Sequence, residues 1–254
     1  MRRLRLTLEY DGSAYRGFQR QRGQPTVQET LERALAQVTQ EDLRVVAAGR
    51  TDSGVHALGQ VVHLDTESAL DLATLRRALN AVLPEDIAVR EVQEAEAGFH
   101  ARFSARLRKY RYRILNAPVR SPLNRRLTAQ VAQSLDVAAM QRAADQLVGD
   151  HDFASFGGRM WEGGSSRRVV YSLDVRRAGD EVIVDIAANA YLSRMVRSIV
   201  GCLISVGLGE LSADDVGRIL AARDRRAVRR LAPPQGLCLM EVVYTDTQLL
   251  RSKG

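Results

Sequence analysis

The order of hydrophobic patterns along the chain restricts its fold more than any other feature. Residues 3–10 alternate apolar and polar side chains, as a half-buried strand does, and residues 26–38 carry apolar side chains at helical spacing, with Thr26 as the predicted N-cap. Strands are also predicted at 43–48, 58–65 and 87–93, and a second helix at 71–82. The first half therefore predicts β-α-β-β-α-β, the order of a ferredoxin-like subdomain.

The second half repeats this order of patterns. The predicted elements are a strand at 108–115, a helix at 136–148, strands at 168–177 and 181–189, helices at 191–207 and 212–222, and a last strand at 237–244. We therefore predict an α+β protein with two ferredoxin-like, or RRM-like, subdomains at 1–104 and 105–254. Each would have an antiparallel sheet covered by helices on one side.

The charge balance favours a nucleic-acid partner. The net charge is +7 and the pI about 9.9, and only Lys109 and Lys253 of the 37 basic residues are lysine. Arginine suits phosphate and stacks on bases, and a basic surface is typical of nucleic-acid binders. No apolar run is long enough to span a bilayer, and the basic start lacks the apolar core of a signal peptide, so the expected location is the cytoplasm.

The few potential metal ligands do not form a recognisable site. Cys202 and Cys238 are far apart in sequence, which predicts free thiols rather than a disulfide or a zinc site. The four histidines lack companion ligands at motif spacing, and no glycine-rich nucleotide loop is present. We therefore expect neither a metal nor a small-molecule cofactor.

A loop between two predicted strands contains a candidate catalytic carboxylate. Its sequence is GRTDSGVHA, residues 49–57, with Asp52 two residues after Arg50 and between two glycines. An aspartate in a loop is most often a turn former. Spacing and composition alone leave both interpretations of Asp52 open.

Several motifs, in order along nearly the whole chain, resemble the tRNA pseudouridine synthase A family. GRTDSGVHA is similar to the family signature GRTDxGVHA. The other similar segments are EYDGSAYRGFQRQ at 9–21, VQ at 27–28, GQV at 59–61, FHARFS at 99–104, KYRY at 109–112, ANAYLSRMVRSIVG at 188–201 and GLCL at 236–239.

The resemblance implies an activity and a set of residue roles. It implies isomerisation of uridine to pseudouridine at positions 38, 39 and 40 of the tRNA anticodon stem-loop, by a homodimer with a central RNA-binding cleft. Asp52 would be the nucleophile, attacking either C1′ of the sugar or C6 of the base. Tyr110 would stack on the uracil and assist removal of the C5 proton, and Arg197 would pair with the aspartate. Arg50 would hold the flipped nucleotide.

Weaker candidates for contacts to the RNA backbone lie in loops. Gln19, Arg20 and Arg22 are in the first loop, and two further basic loops cover 156–166, with the single tryptophan Trp161, and 223–234. A run of charges is either a solvated face or a phosphate-binding surface, and the sequence does not choose between them.

Two other classes of function compete with the pseudouridine synthase. The first is a non-enzymatic RNA-binding protein with RRM-like sheets, although the aromatic-rich run of such modules is missing. The second is a glycosylase, which also attacks C1′ but would release free uracil. A zinc deaminase is excluded because the H-x-E and P-C-x-x-C motifs are absent.

Overall fold

The computed structural model describes residues 1–158 and 164–245, which divide into two compact units. Among these residues, the first unit contains 1–106 and 239–245, and the second begins at Leu107 and ends at Cys238. The sequence predicts a C-terminal subdomain that is one continuous stretch, 105–254, whereas the structure assigns residues 239–245 to the first unit. The chain therefore leaves the first unit at residue 106 and returns to it at Leu239.

The first unit follows the predicted element order. Its elements are β1 (Arg2–Tyr10), α1 (Val27–Thr39), β2 (Val46–Ala47), β3 (His56–Thr66), α2 (Leu72–Val82) and β4 (Ile87–Ala95). Strand β1 pairs antiparallel with β3 on one side and with β4 on the other, and β2 pairs antiparallel with β3. The last strand of the chain, β10 (Leu237–Val243), is a further neighbour of β3.

The alternation in β1 produces the core of this unit. Leu4, Leu6 and Leu8 share one face of the strand and are fully buried, whereas the residues between them are half-buried. Helix α1 begins where predicted, because the Thr26 hydroxyl accepts a hydrogen bond from the Glu29 amide.

The second unit also has a mostly antiparallel sheet. Its elements are β5 (Leu107–Leu115), β6 (Ala129–Gln130), α3 (Val137–Asp145), β7 (Gly149–Asp152), β8 (Arg167–Ala178), β9 (Glu181–Ala188), α4 (Met195–Gly207), α5 (Ala213–Ala222) and the first residues of β10. The strand order is β5-β9-β8-β7, with each neighbouring pair antiparallel, and β6 pairs parallel to β5.

The second unit departs from the predicted pattern at several points, one of which is the unpredicted two-residue strand β6. The short strand β7 was not predicted, because its sequence, GDHD, has no apolar alternation. Helix α4 begins at Met195 rather than at 191, because Arg194 adopts a left-handed conformation with φ of 62°. What the structure shows is therefore a mixed α/β protein with mostly antiparallel sheets.

Helix α4 is the most apolar element of the second unit. Every residue from Met195 to Gly207 is buried except Arg197, which is half-buried. Over the described ranges, no helix is both long enough and apolar enough to cross a membrane.

Candidate active site

Asp52 lies in a tight turn just before β3. The Val55 amide donates to the Asp52 carbonyl oxygen at 3.1 Å, and Gly54 has a φ of +77°, which glycine adopts without strain. The Asp52 side chain is half-buried, and Ser53 beside it is exposed. The turn thus holds a carboxylate at the surface on a backbone of defined shape.

The loop after β1 packs directly against this turn. The Phe18 amide donates to the Thr51 carbonyl at 3.1 Å, and the Ser53 hydroxyl donates to the Tyr15 carbonyl at 3.1 Å. A β-carbon on Gly12 would lie 2.0 Å from the Val55 carbonyl oxygen. The close approach of the two backbones therefore requires glycine at position 12.

Buried polar side chains support the turn from behind. The Tyr10 hydroxyl and the Thr51 hydroxyl are 2.8 Å apart, and the Gln60 side-chain amide donates to the Gly49 carbonyl at 2.8 Å. Tyr10, Thr51 and Gln60 are each at most 6% exposed. Buried hydrogen bonds of this kind fix a unique geometry, because breaking one leaves a desolvated polar group.

A histidine connects the turn to the first loop. His56, the first residue of β3, is buried, and its Nδ1 accepts a hydrogen bond from the Gly12 amide at 3.1 Å. The Asp11 carboxylate lies 3.1 Å from the same nitrogen. His56 therefore links the turn to the loop after β1 through a hydrogen bond.

The four other candidate RNA contacts of this unit are exposed. Arg50 lies directly before Thr51, and Gln19 and Arg22 project from the first loop. Arg20 is about half exposed, and its guanidinium lies 3.6 Å from Glu32 and 3.7 Å from Glu29. These two carboxylates offset part of the charge that Arg20 could offer to a phosphate.

In the second unit, the two tyrosines of β5 have different surroundings. Tyr112 is fully buried and its hydroxyl donates to the Pro233 carbonyl at 2.7 Å. Burial raises the pKa of Tyr112 above its ordinary value. Tyr110 is 8% exposed, and its ring meets the half-buried Tyr191 ring edge-on, with centroids 5.1 Å apart.

The hydroxyl of Tyr191 is hydrogen-bonded to the backbone of strands β5 and β9. It lies 3.1 Å from both the Arg108 and the Ile186 carbonyl oxygens, and burial raises its pKa well above the ordinary value. Tyr191 therefore supports the Tyr110 ring from the side.

Arg197 is held against the segment before β10. Its Nε donates to the Ala232 carbonyl at 2.8 Å, and the Ala232 amide donates to the Arg197 carbonyl at 3.0 Å. One turn further along α4, a β-carbon on Gly201 would lie 2.1 Å from the Arg230 carbonyl oxygen. Close backbone packing thus fixes the helix turn that carries Arg197.

The predicted basic loop 223–234 is partly neutralised by local partners. Arg226 pairs with Asp224 at 2.9 Å, Arg230 pairs with Glu210 at 2.8 Å, and Arg223 lies 3.4 Å from Asp152. These contacts reduce the charge that the run offers to phosphate. In the other basic loop, residues 159–163, with Trp161, lie outside the described residues.

The structure thus places the candidates in two groups. Asp52, Arg50, Gln19 and Arg20 belong to the first unit, and Tyr110 and Arg197 belong to the second. Within residues 1–158 and 164–245, no cluster of three or more His, Cys, Asp or Glu side chains could hold a metal ion. Sequence reasoning missed the supporting roles of Tyr10 and Gln60, although both lie in segments that carry the family resemblance.

Comparison with known proteins identifies the class. A family model described as tRNA pseudouridine synthase matches residues 7–104 and 143–245. The chain belongs to this family and is therefore an isomerase, as the sequence motifs predicted.

Individual relatives agree over nearly the full length. A tRNA pseudouridine synthase A from Brevibacillus brevis is 47% identical over 96% of this chain and 100% of its own length. Another from Methylococcus capsulatus is 47% identical over 96% of this chain and 90% of its own. A chain in a crystal structure of a Cbf5-Nop10-Gar1 complex aligns with 94% of this chain and over 50% of its own length, at 11% identity. The TM-score of 0.38 is too low to support any inference from this similarity.

Proposed function

We propose that this enzyme isomerises uridine to pseudouridine at positions 38, 39 and 40 of the tRNA anticodon stem-loop, with Asp52 as its nucleophile. The observation that carries the proposal is the Asp52 carboxylate itself. It is half-buried in a turn whose backbone is hydrogen-bonded to the loop after β1 and supported by buried polar side chains. A nucleophile gains most from such fixed placement.

The reaction must break one bond to the base and form another. The N1–C1′ bond breaks, the uracil turns, C5 joins C1′, and the C5 proton leaves while N1 gains one. A carboxylate can assist by attacking C1′, from which it leaves as C5 forms its bond to C1′, or by attacking C6, from which it leaves after the C5–C1′ bond has formed. Because the product is an isomer of the substrate, neither route requires a redox step.

The other roles follow the family resemblance. We assign Tyr110, which the resemblance selects over Tyr112, to stacking on the uracil and to removal of the C5 proton. We assign Arg197 to pairing with the Asp52 carboxylate, as the family resemblance implies. Arg50 holds the flipped nucleotide, and Gln19 and Arg20 contact the RNA backbone.

The central test is the fate of uridine in an unmodified tRNA transcript. We expect pseudouridine with the wild-type protein and a loss of at least about a thousandfold in turnover with Asp52→Asn, since removing a nucleophile has effects of that order or larger. The matched control is Asp42→Asn, which alters an 84% exposed aspartate of the same unit. Full activity in Asp52→Asn would remove the nucleophile assignment.

Product analysis separates the competing functions. Free uracil would indicate a glycosylase, and RNA binding without any product would indicate the non-enzymatic protein. Transcripts with cytidine in place of uridine at positions 38, 39 or 40 then test the site. Unchanged pseudouridine in the transcript lacking all three uridines would overturn the anticodon assignment.

The remaining parts of the proposal concern assembly. We propose a cytoplasmic homodimer with a central RNA-binding cleft, in which each of the two units is a ferredoxin-like subdomain. The element order of the first unit, β-α-β-β-α-β, supports this description for residues 1–95. Sedimentation of the purified protein as a monomer at micromolar concentration would overturn the dimer.

A further inference from the structure

An aromatic side chain of the first unit stands exposed beside an arginine. Phe103 is 76% exposed, although phenylalanine is usually buried. Its ring lies on the His100 ring with centroids 4.3 Å apart and planes 30° apart, and the Arg102 guanidinium carbon is 5.6 Å from its centroid. Phe103 belongs to the segment FHARFS, for which the catalytic proposal has no role.

The turn beneath Phe103 is rigidly bonded. The Nδ1 atom of His100 lies 3.2 Å from both the Arg102 and the Phe103 amide nitrogens, which donate to it. The Ser104 hydroxyl accepts from the His100 amide at 3.0 Å, and the Ser104 amide donates to the His100 carbonyl at 2.9 Å. These bonds oppose a collapse of the Phe103 ring into the protein.

A buried residue at the base of the turn is anchored in the same way. The Ala101 amide donates to Nδ1 of the buried His63 at 3.1 Å, and the Tyr244 hydroxyl donates to the Ala101 carbonyl at 2.8 Å. The guanidinium of Arg5 lies over the Tyr244 ring, 4.6 Å from its centroid. The exposure of Phe103 is therefore imposed by the structure around it.

We propose that Arg102 and Phe103 form a stacking platform for an unpaired base of the tRNA, a base other than the reacting uridine. Every nucleobase has a flat face that stacks on an aromatic ring, and arginine adds a cation that attracts phosphate. His63, which anchors the platform, lies seven residues along β3 from His56, a distance of roughly 20 Å for an extended strand. The platform therefore adds affinity and takes no part in the chemistry.

The proposal rests on tRNA as the substrate and is tested separately from the catalytic assignment. We expect Phe103→Ala to raise the Kd for unmodified tRNA roughly fivefold to a hundredfold, the range that loss of one stacked base produces. Turnover at saturating tRNA should stay within about twofold, because the Asp52 turn is distant. The matched control is Leu123→Ala, which removes a 92% exposed apolar side chain from the second unit.

A fluorescent variant reports contact directly. In Phe103→Trp we expect affinity close to that of the wild type and quenching of the new tryptophan on tRNA addition, measured against the wild-type signal of Trp161. An unchanged Kd in Phe103→Ala, or no added quenching in Phe103→Trp, overturns the platform even if the enzyme is fully active.

Two other outcomes also decide the matter. If Phe103→Ala converts a dimer into a monomer in sedimentation, the surface is an interface between copies of the chain and the platform is overturned. If its melting temperature falls by several degrees, Phe103 stabilises the fold rather than binding RNA, and the platform is again overturned. A Kd effect with unchanged mass and melting temperature supports it.

Discussion

The Asp52 turn and helix α4 hold their functional side chains by different means. The turn depends on directional contacts, with hydrogen bonds from the loop after β1, a Tyr10–Thr51 pair and a backbone approach at Gly12. Helix α4 is buried along its whole length except at Arg197. A small displacement of the backbone should therefore reduce turnover at the Asp52 turn. In α4 the same displacement would be distributed over many apolar contacts and should mainly affect stability.

Among the changes that compare the two regions, the largest effect is expected at Gly12. In Gly12→Ala the new β-carbon would lie only 2.0 Å from the Val55 carbonyl oxygen, so this carbonyl must move away. We expect turnover to fall about a hundredfold, as a displacement of about 1 Å can cause. The matched control is Gly98→Ala, where no heavy atom lies within 4 Å, and equal activity of the two variants would contradict the role of this contact.

A similar clash in the second unit should act on stability instead. Gly201→Ala brings a carbon to within 2.1 Å of the Arg230 carbonyl, so α4 and the segment at 230–232 must separate. We expect a loss of about 1–3 kcal/mol in the free energy of unfolding, typical of an overpacked core. Turnover per folded molecule should fall less than in Gly12→Ala. The opposite ranking would break the comparison between the two regions.

Removal of one buried hydroxyl from each unit gives a finer comparison. Tyr10→Phe leaves the Thr51 hydroxyl without this partner, and Tyr112→Phe does the same to the Pro233 carbonyl. Both should lower the free energy of unfolding by about 1–2 kcal/mol. Only Tyr10→Phe should also reduce turnover, by about tenfold, because Thr51 precedes the nucleophile. Urea unfolding and single-turnover kinetics measure the two effects.

The smallest expected effect is a pH dependence at His63. Burial, aided by the charges of His100 and Arg3, lowers the pKa of His63 below its ordinary value of 6.5. Below pH 6.5 the unfolded chain binds a proton that the folded chain resists, so stability falls as pH decreases through the folded pKa and then levels off. Urea unfolding between pH 7 and 5 should show a smaller decrease in His63→Gln than in the control His151→Gln.

The sequence predicts regular elements well where burial is one-sided. The alternation of β1 and the helical spacing of α1 match the structure, because each buries one face. Strand β7 could not be predicted, since its sequence, GDHD, has no apolar side chain whose alternation would indicate a strand. The start of α4 was missed because the left-handed Arg194 has no sequence signal of its own.

The site was predictable from motifs only to the level of candidate residues. The glycine-flanked GRTDSGVHA segment predicted a turn around Asp52, and the structure has one. The contacts that fix this turn come from Tyr10, Tyr15 and Phe18, which are distant in sequence, so no local pattern reveals them. The exposure of Phe103 was equally hidden, since an apolar residue in sequence predicts burial.

The return of the chain to the first unit at Leu239 has a consequence for synthesis on the ribosome. Residues 1–106 emerge first, yet β10, which is also a neighbour of β3, emerges only after the whole second unit. Until then part of one edge of β3 offers unpaired backbone groups to any passing strand. The second unit is continuous, so we expect it to reach its native form earlier, and the part of the protein made first to be completed last.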